Sequence, residues 1–363
     1  MFNNREEIQL KAAQSIYDNK FNCIADLSPR VGKSRLTLLA LEKLSKPINI
    51  LISAPFNTIL VSWKAEILKW GSKHNFTFTN NRSLDNIDFD AINLIILDEC
   101  HYSSTVQRNT LREAKKPIIG LTGSLGKDSR IRLKQELGIK PCFVYSIEEA
   151  IQDGIISDFK INIHYVELDN KVNNIPYGTK KDPKIGTELQ AYTFFSNSFE
   201  RFKFMSYGNP ALGVIKMKYA GDRSRVIYNS INKIKLTKKL SNNRKKTLIF
   251  TAQTKVADLV CKHSYHSKST ENNLELFADD KINKLSVVNQ VSMGVTIKGL
   301  KHIIVNQLQS SEEMSIQKIM RAMNFEEGKL ATVDIIVVKN TVDEDWVVKA
   351  LSWVNKDKIT YIN

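Results

Sequence analysis

The sequence predicts an α/β protein with two parallel-sheet domains in tandem, and three observations lead to this prediction. Short apolar runs alternate with helix-like segments through the first 145 residues, and the same pattern returns near the C-terminus. A basic, aromatic-rich segment lies between the two regions. Runs that are apolar throughout are typical of strands buried on both faces of a parallel sheet. At 363 residues, the chain is long enough for two such domains.

Four apolar runs are the predicted strands of the first domain: CIADL (23–27), INILISA (48–54), NLIILDE (93–99) and PIIGLT (117–122). Four more are the predicted strands of the second domain: KTLIF (246–250), KLSVVN (284–289), HIIVN (302–306) and VDIIVV (333–338). The helical segment after residue 145 ends at Asp153-Gly154 and is followed by a strand, INIHYVELD. We therefore predict a first domain at 1–150 and a second at 151–363.

The segment from Lys171 to Lys246 carries most of the net charge. It contains 17 basic and 4 acidic residues, a balance of +13, whereas the whole chain has a net charge of +15. Ten Phe or Tyr residues lie in the same segment. Basic side chains neutralise phosphates and aromatic rings stack on bases, so this composition favours nucleic acid as a partner. The alternative is a helical subdomain with an aromatic core and a solvated basic face. In either case, we predict a largely helical insert at about 171–245.

Several classes of protein are disfavoured by the composition. No run of about 18 apolar residues is present, and the N-terminus lacks the apolar stretch of a signal peptide, so neither membrane insertion nor secretion is expected. The four cysteines have no C-x-x-C spacing, which argues against a zinc site or a disulfide framework. The sequence therefore predicts an intracellular protein, in the cytoplasm or, if viral, the host cytoplasm.

A phosphate-binding loop is predicted at residues 26–35, DLSPRVGKSR. The strand CIADL precedes it and the apolar-periodic helix RLTLLALEKL follows it, which is the context that such a loop requires. Gly32 would allow close backbone approach, Lys33 would meet the β- and γ-phosphates, and Ser34 would hold Mg²⁺. Leu27 departs from the strict pattern, which has glycine five residues before Gly32.

A pair of adjacent carboxylates ends the apolar strand LIILDECH (94–101). A carboxylate at the carboxyl edge of a strand is where a phosphate-bound Mg²⁺ needs a ligand, and a second one can orient a water molecule. We expect Asp98 to hold the metal and Glu99 to act on the water. Alone, such a pair is often a solvated turn, but after a G-K-S loop it indicates a phosphoryl-transfer site.

The ordered series of motifs resembles superfamily 2 helicases and translocases, in particular compact phage-type members with features of chromatin remodellers. EEIQLKAAQSI (6–16) is similar to the glutamine segment, LISAPFNTILVSWKAEILKW (51–70) to motif Ia, DECH to the DEAD/DEAH box and LTGSL (121–125) to motif III. KTLIFTAQTKVADLV resembles motif IV, VVNQVSMGVTIKGL motif V and QKIMRAMN (317–324) motif VI. The resemblance spans nearly the whole chain and implies two RecA-like domains.

The resemblance also implies roles for individual residues. Catalysis would involve Glu99, Gln317 and Arg321, with Arg321 as the arginine finger. ATP would be bound by Gln9, Arg30, Gly32, Lys33, Ser34, Asp98 and Gly294, and Mg²⁺ by Ser34 and Asp98. Contacts to nucleic acid, or coupling to it, would involve Pro55, Trp63, Thr122, Ser124, Thr251 and Thr296. Trp63 can also be read as a packing residue. His101 can be read as a surface residue or as a hydrogen-bond partner of motif III.

Two departures from the family pattern affect the expected activity. Leu27 is an allowed variant, because the loop of this superfamily is commonly looser than the strict motif. Motif VI usually carries a second arginine three residues after the first, and Asn324 stands there. Arg321 would then be the only arginine finger from this motif, so hydrolysis is expected to be slow or conditional.

The expected function is an ATP-dependent helicase or translocase acting on DNA, in branch migration or in fork or duplex remodelling. Its cofactors would be ATP and Mg²⁺, and its partners nucleic acid and proteins of phage replication or recombination, with the chain itself a monomer. Three alternatives remain open: an RNA helicase, a nucleic-acid-binding protein with a decayed ATPase, and a motor subunit of a restriction-like assembly.

Overall fold

The structure is a computed structural model that describes residues 4–123, 125–242, 244–269, 272–288, 297, 299–308, 318–320, 329–352 and 354–362. The chain divides into two compact units, and the main boundary between them along the chain falls between Asp158 and Phe159. Residues 4–158 belong to the first unit, and most of the later described residues belong to the second. The predicted domain ranges, 1–150 and 151–363, stay a prediction.

The first unit is built on a six-stranded parallel sheet with the strand order β3-β2-β4-β5-β1-β6. Four of these strands are the predicted apolar runs, and their side chains are almost all buried. The strands are β1 (Cys23–Leu27), β2 (Asn49–Ala54), β3 (Asn75–Asn80), β4 (Leu94–Asp98), β5 (Ile118–Thr122) and β6 (Pro141–Tyr145).

Helices connect these strands, as parallel pairing requires. The helices are α1 (Asn4–Asp18), α2 (Lys33–Glu42), α3 (Asn57–Trp70), α4 (Thr105–Glu113), α5 (Lys127–Leu137) and α6 (Ile147–Gln152). Serine caps start two of them: Ser104 and Ser146 each accept a hydrogen bond from a backbone N–H of the first turn, within a complete capping box. A kinked six-residue 3₁₀ segment, Asn81–Asn86, follows β3, and a single 3₁₀ turn, Cys100–Tyr102, follows β4.

Sheet register brings the ends of three strands to one edge. Asp26 of β1 pairs with Thr122 of β5, and Asp98 of β4 pairs with Leu121 of the same strand. Ligands of open α/β sheets bind outside the carboxyl ends of the strands. The predicted phosphate loop and the predicted carboxylate pair therefore lie at the same edge of the first sheet.

The second unit contains a seven-stranded sheet with the order β11-β12-β10-β13-β14-β7-β15. Its central strands are the predicted apolar runs of the second half. The strands are β7 (Asp158–Val166), β10 (Thr247–Thr251), β11 (Ser264–Tyr265), β12 (Lys284–Val288), β13 (His302–Val305), β14 (Leu330–Val338) and β15 (Ile359–Ile362). The helices beside it are α10 (Thr254–Val260), α11 (Asn273–Ala278) and α12 (Val342–Ala350), with a 3₁₀ turn at Lys356–Lys358. The predicted α/β architecture with two parallel sheets is confirmed.

The basic insert belongs to the second unit and is largely helical, as predicted. It consists of an antiparallel two-stranded ribbon, β8 (Ile175–Gly178) and β9 (Pro183–Gly186), followed by α7 (Glu188–Met205), α8 (Pro210–Tyr228) and α9 (Ile231–Asn242). Aromatic side chains of α7 and α8 pack together at the base of this helix pair, in a cluster with Val338 of β14. Most of the insert's aromatic residues therefore serve as its core.

One lysine of the insert is part of the interior. Lys233 of α9 is fully buried, and its Nζ lies 2.6 Å from Asp343 Oδ2 at the start of α12. Thr341 caps α12 by accepting a hydrogen bond from the Asp343 N–H. The segment T-V-D-E thus both caps the last long helix and holds the insert's third helix. Within the described ranges, no helix has the length and apolar character needed to cross a membrane.

Candidate functional site

The predicted phosphate loop joins β1 to α2 in the first unit. Gly32 precedes α2 in a left-handed conformation, with φ 94° and ψ 59°, and Lys33 is the first helical residue. The N–H groups of a first helical turn have no partner within the helix, and together with the helix dipole they form an anion-binding site. Leu27 is the fully buried last residue of β1 and pairs with Tyr145 of β6. It is therefore part of the sheet and not of the loop.

Gln9 of α1 supports the loop from one side. Its Nε2 donates a hydrogen bond of 2.6 Å to the Val31 carbonyl oxygen. A Cβ added to Gly32 would lie 2.5 Å from the same Nε2, closer than real contacts allow. The left-handed backbone favours glycine at position 32, and a larger residue there would also displace the Gln9 side chain from Val31.

The predicted carboxylate pair meets Lys33. Lys33 Nζ lies 2.6 Å from Glu99 Oε1 and 4.0 Å from Asp98 Oδ1. Glu99 follows β4 in a left-handed conformation, with φ 48° and ψ 52°. Residues other than glycine adopt this conformation rarely, and such residues are common at functional sites. The structure thus brings together, within the first unit, the lysine and the two carboxylates that the sequence assigned to one site.

The charges of these three groups are interdependent. Burial alone would lower the pKa of Lys33, but Glu99 and Asp98 outweigh it and leave this pKa raised. Burial alone would raise the pKa of Glu99, but Lys33 and His101 outweigh it and leave this pKa lowered. Burial raises the pKa of Asp98; Lys33 opposes the rise and Glu99 adds to it. Lys33 is therefore held as a cation and Glu99 as an anion, in direct contact.

Trp63 of α3 fixes the orientation of Asp98. The Trp63 side chain is fully buried, and its Nε1 donates a hydrogen bond of 2.8 Å to Asp98 Oδ2. The Glu99 backbone N–H donates to the other oxygen, Asp98 Oδ1, at 2.9 Å. Trp70, seven residues later, is partly exposed and instead donates to Glu66. In this unit Trp63 contacts Asp98 and not solvent, a contact that no sequence pattern indicated.

His101 links the carboxylate segment to the predicted motif III. Its Nδ1 lies 2.9 Å from Thr122 Oγ1 and 3.7 Å from Glu99 Oε2. The predicted hydrogen bond between His101 and motif III is therefore present. The backbone N–H of Gly123 also donates to the Glu99 carboxylate. Glu99, His101 and the end of β5 are thus joined by direct contacts.

Asp26 is a third acidic group near Lys33, and it is not among the predicted site residues. Burial raises the pKa of Asp26, while Arg130 and Lys33 partly oppose the rise. Arg130 Nη2 lies 3.4 Å from Asp26 Oδ2. The available signal was an acidic residue inside the otherwise apolar strand C-I-A-D-L, directly before the phosphate loop.

The remaining predicted site residues have varied environments. Arg30 is half-buried in the loop with φ 73°, and burial, aided by Arg5, lowers its pKa. Ser34 lies in the first turn of α2. The Pro55 carbonyl oxygen accepts a hydrogen bond of 3.0 Å from the Asn80 side chain. Thr251 ends β10 of the second unit and is buried. Five predicted residues lie outside the described part of the chain: Ser124, Gly294, Thr296, Gln317 and Arg321.

Comparison with known proteins identifies the fold. No protein-family model and no curated protein sequence matches the chain. Among solved structures, the ATP-dependent Type ISP restriction-modification enzyme LlaBIII bound to DNA matches 100% of this chain with a TM-score of 0.65 and 12% identity. This chain spans only 31% of that enzyme.

Two other solved structures are similar to this chain over nearly the whole of their own length. Dbp5 from S. cerevisiae, bound to RNA and ADP BeF3, matches 98% of this chain and 89% of its own, with a TM-score of 0.57 and 12% identity. The helicase domain of Hef from Pyrococcus furiosus matches 92% of this chain and 96% of its own, with a TM-score of 0.50 and 13% identity. At such identities the likeness establishes the fold. The chain has the fold of these structures, with two RecA-like units in tandem.

Proposed function

We propose that the protein is an ATP-dependent nucleic-acid translocase or helicase that acts on DNA. The observation that carries this proposal is the contact of Lys33 with Glu99 and Asp98 at the start of α2, directly after the left-handed Gly32. A cation and two carboxylates at a helix N-terminus are the parts that phosphoryl transfer requires. The fold and the order of the sequence motifs give independent support.

The chemistry of this site fits a nucleoside triphosphate with Mg²⁺. The first turn of α2 and Lys33 offer positive potential for phosphates, while Ser34 and Asp98 offer the oxygen ligands that Mg²⁺ prefers. Among the described residues, none donates a hydrogen bond to Glu99 Oε2, although this oxygen is buried. A buried acceptor of this kind suits a carboxylate that binds and orients a reacting water. Bound MgATP would supply the phosphoanhydride bond to be broken.

Each residue of the site has a distinct proposed role. Lys33 exchanges its contact with Glu99 for the β- and γ-phosphates, and Glu99 is then available to orient the attacking water and accept its proton. Asp98, held by Trp63, and Ser34 bind the metal. Gln9 supports the loop through its hydrogen bond to Val31, and its contact with ATP remains a prediction from the resemblance. Arg321 and Gln317 are proposed to act from the second domain.

The alternative of a decayed ATPase is less well supported. Leu27 is one of the two residues that favour a decayed ATPase, but it is the buried last residue of β1 and lies outside the loop from Ser28 to Lys33. The other is Asn324, which leaves Arg321 as the only arginine of motif VI. We therefore propose an active enzyme whose hydrolysis depends strongly on nucleic acid. Branch migration or fork remodelling in phage replication or recombination is the proposed context.

ATP turnover by Lys33→Ala and Arg321→Ala tests this function. Each variant should lose nucleic-acid-stimulated hydrolysis by at least about 10³-fold, as loss of such a charge does in related phosphoryl transfer. Lys46→Ala, which changes an exposed lysine after α2, is the matched control and should behave as wild type. Forked, duplex and single-stranded DNA and matched RNA are the stimulating polymers.

The outcomes separate the alternatives. Full activity of either variant would refute the assignment of the site. Greater stimulation by RNA than by DNA would favour an RNA helicase. Binding of nucleic acid by the wild type without hydrolysis at saturating ATP would favour the decayed ATPase.

A further inference from the structure

We infer that the distal part of the helix pair α7–α8, residues 201–221, is a contact surface for a single strand of nucleic acid. This inference rests on the proposed function in one respect, because it takes nucleic acid as the polymer on which the protein acts. It concerns a surface distant in the chain from the phosphate loop. It can therefore fail or stand independently of ATP hydrolysis.

The two helices form a long antiparallel pair whose base packs into the core of the second unit. They contain 18 and 19 residues and are joined by the short segment 206–209. The start of α7 and the end of α8 contribute Tyr192, Phe195 and Ile227 to the core of the second unit. From Arg201 onward, no residue up to Gly221 is fully buried. Within the distal part, Phe202 and Tyr219 stack with ring centroids 5.5 Å apart and Tyr219 packs against the core cluster, whereas the remaining side chains are not part of that cluster.

Large apolar side chains are exposed on this distal part. Phe204 is 70% exposed, Tyr207 is 80% exposed and Met217 is 65% exposed. Val214 and Met205 are exposed beside them in sequence. Contiguous exposed apolar side chains mark interaction surfaces, because solvating them has a cost that a partner removes. Phe204 and Tyr207 present aromatic rings to that partner.

The charges around these rings indicate the chemistry of the partner. Residues 201–221 contain Arg201, Lys203, Lys216 and Lys218 and no aspartate or glutamate. Lys203 lies 3.4 Å from Glu200, just outside this range, so the net excess of positive charge rests mainly on Arg201, Lys216 and Lys218 and favours a polyanion as the partner. Exposed aromatic rings between cations are the combination by which proteins hold single strands, with bases stacked on the rings and phosphates neutralised by the basic side chains.

Two glycines within α8 support a close approach of the partner. Gly213 and Gly221 lie inside the helix, where glycine is less favourable than alanine. A Cβ added at either position would meet nothing within 4 Å, so packing within the chain does not require glycine there. Neither position is among the positive-φ residues that would require glycine. Glycine does allow a ligand to approach a backbone closely, which suits a sugar-phosphate chain laid along α8.

Binding of labelled 20-mers, measured by fluorescence anisotropy without nucleotide, tests the inference. The probes are dT20, rU20 and an abasic strand with the same number of phosphates. We expect the wild type to bind the strands with bases more tightly than the abasic strand. In Phe204→Ala/Tyr207→Ala, affinity for dT20 should fall at least about fivefold, and the preference over the abasic strand should disappear.

A second pair of substitutions tests the charges. In Arg201→Ala/Lys216→Ala, binding of dT20 and of the abasic strand should weaken equally. The slope of log affinity against log salt should fall by about 1.4, the value expected for two lost phosphate contacts on a single strand. Val348→Ala/Tyr361→Ala removes an exposed apolar and an exposed aromatic side chain outside the motifs and is the matched control, expected to bind as wild type.

Each outcome supports or overturns the inference. If Phe204→Ala/Tyr207→Ala and Arg201→Ala/Lys216→Ala both bind dT20 and rU20 as tightly as the wild type, the inference is overturned, whether or not the protein hydrolyses ATP. An (Asp)20 peptide that binds as tightly as dT20, and responds to the same substitutions, would assign the surface to an acidic protein partner and overturn the nucleic-acid assignment. Equal melting temperatures of variants and wild type are the folding control. Loss of binding with intact folding and no ATP hydrolysis by the wild type would refute the proposed function and leave this inference standing.

Discussion

At the candidate site, the sequence indicates which residues belong to the site, but it does not indicate all of the contacts between them. The residues Gly32, Lys33, Asp98 and Glu99 could be selected from the sequence because each lies at a fixed position relative to an apolar strand or helix. Their contact follows from the parallel register of β1, β5 and β4. The Trp63 hydrogen bond to Asp98 could not be predicted, because it joins residues 35 positions apart through tertiary packing.

Trp63 is expected to act as a positioning residue for the metal ligand. Burial raises the pKa of Asp98, and the hydrogen bond from Trp63 opposes that rise. Trp63→Phe removes the donor, so the pKa of Asp98 should rise further, and a larger fraction of Asp98 should be protonated at acidic pH and unable to hold Mg²⁺. A hydrogen bond to a charged group contributes about 1.5–3 kcal/mol, so the acid limb of the ATP-turnover profile should move to higher pH by about one to two pH units.

The pH profile of ATP turnover distinguishes this role from simple packing. The acid limb of the profile should move to higher pH in Trp63→Phe, and the loss of turnover should be smaller at pH 8 than at pH 6. Trp70→Phe is the matched control, since it removes a donor to the partly exposed Glu66 on the same helix. An equal loss of turnover at every pH would show that Trp63 only packs.

At the scale of helices and strands, burial decides which elements could be predicted. The apolar run at 23–27 coincides with β1, and the runs at 93–99 and 117–122 contain β4 and β5. Strands β3 and β15 were missed because they lie at the edges of their sheets, where side chains alternate or remain exposed. Edge strands such as N-F-T-F-T-N therefore lack the continuous apolar run that marks a central strand.

The buried pair of Lys233 and Asp343 should anchor α9 to α12. Both side chains are fully buried, and Asp343 Oδ2 accepts hydrogen bonds from Lys233 Nζ and from the Val338 N–H. Lys233→Met would leave a buried carboxylate without its cation, which costs about 3–5 kcal/mol. The melting temperature should fall by about 10 °C, as measured by thermal unfolding.

Two further variants make this test specific. Lys233→Met/Asp343→Asn should recover much of the lost stability, because asparagine is neutral and still offers an acceptor to Val338. Lys238→Met, which changes an exposed lysine of the same helix, should leave the melting temperature unchanged. A wild-type melting temperature for Lys233→Met would contradict the anchoring role.

For the whole molecule, the sequence predicted two parallel sheets and their motifs, and the fold is confirmed. The order of strands within each sheet was not predicted, because apolar runs of similar composition do not specify their neighbours. The basic insert shows a division that composition alone could not reveal: aromatic residues near the base pack together, whereas Phe204 and Tyr207 are exposed. Lys233, counted among the insert's charges, is buried and paired.

The central claim is that the contact of Lys33 with Glu99 is the resting state of a site for ATP hydrolysis. Glu99→Gln removes the negative charge that holds Lys33 but nearly preserves the shape of the side chain. Lys33 would then be available for phosphates, so ATP should bind at least as tightly as in the wild type. In the proposed mechanism Glu99 accepts a proton from the attacking water, and general-base catalysis contributes about 10²–10⁴-fold.

The most direct measurement is therefore steady-state ATP hydrolysis by Glu99→Gln at saturating ATP and forked DNA, together with its affinity for ATP. Glu113→Gln, an exposed glutamate of α4, is the matched control. We predict that kcat falls by about 10²-fold or more while ATP affinity is retained or increased. Wild-type kcat in Glu99→Gln, or loss of ATP binding together with turnover, would contradict it.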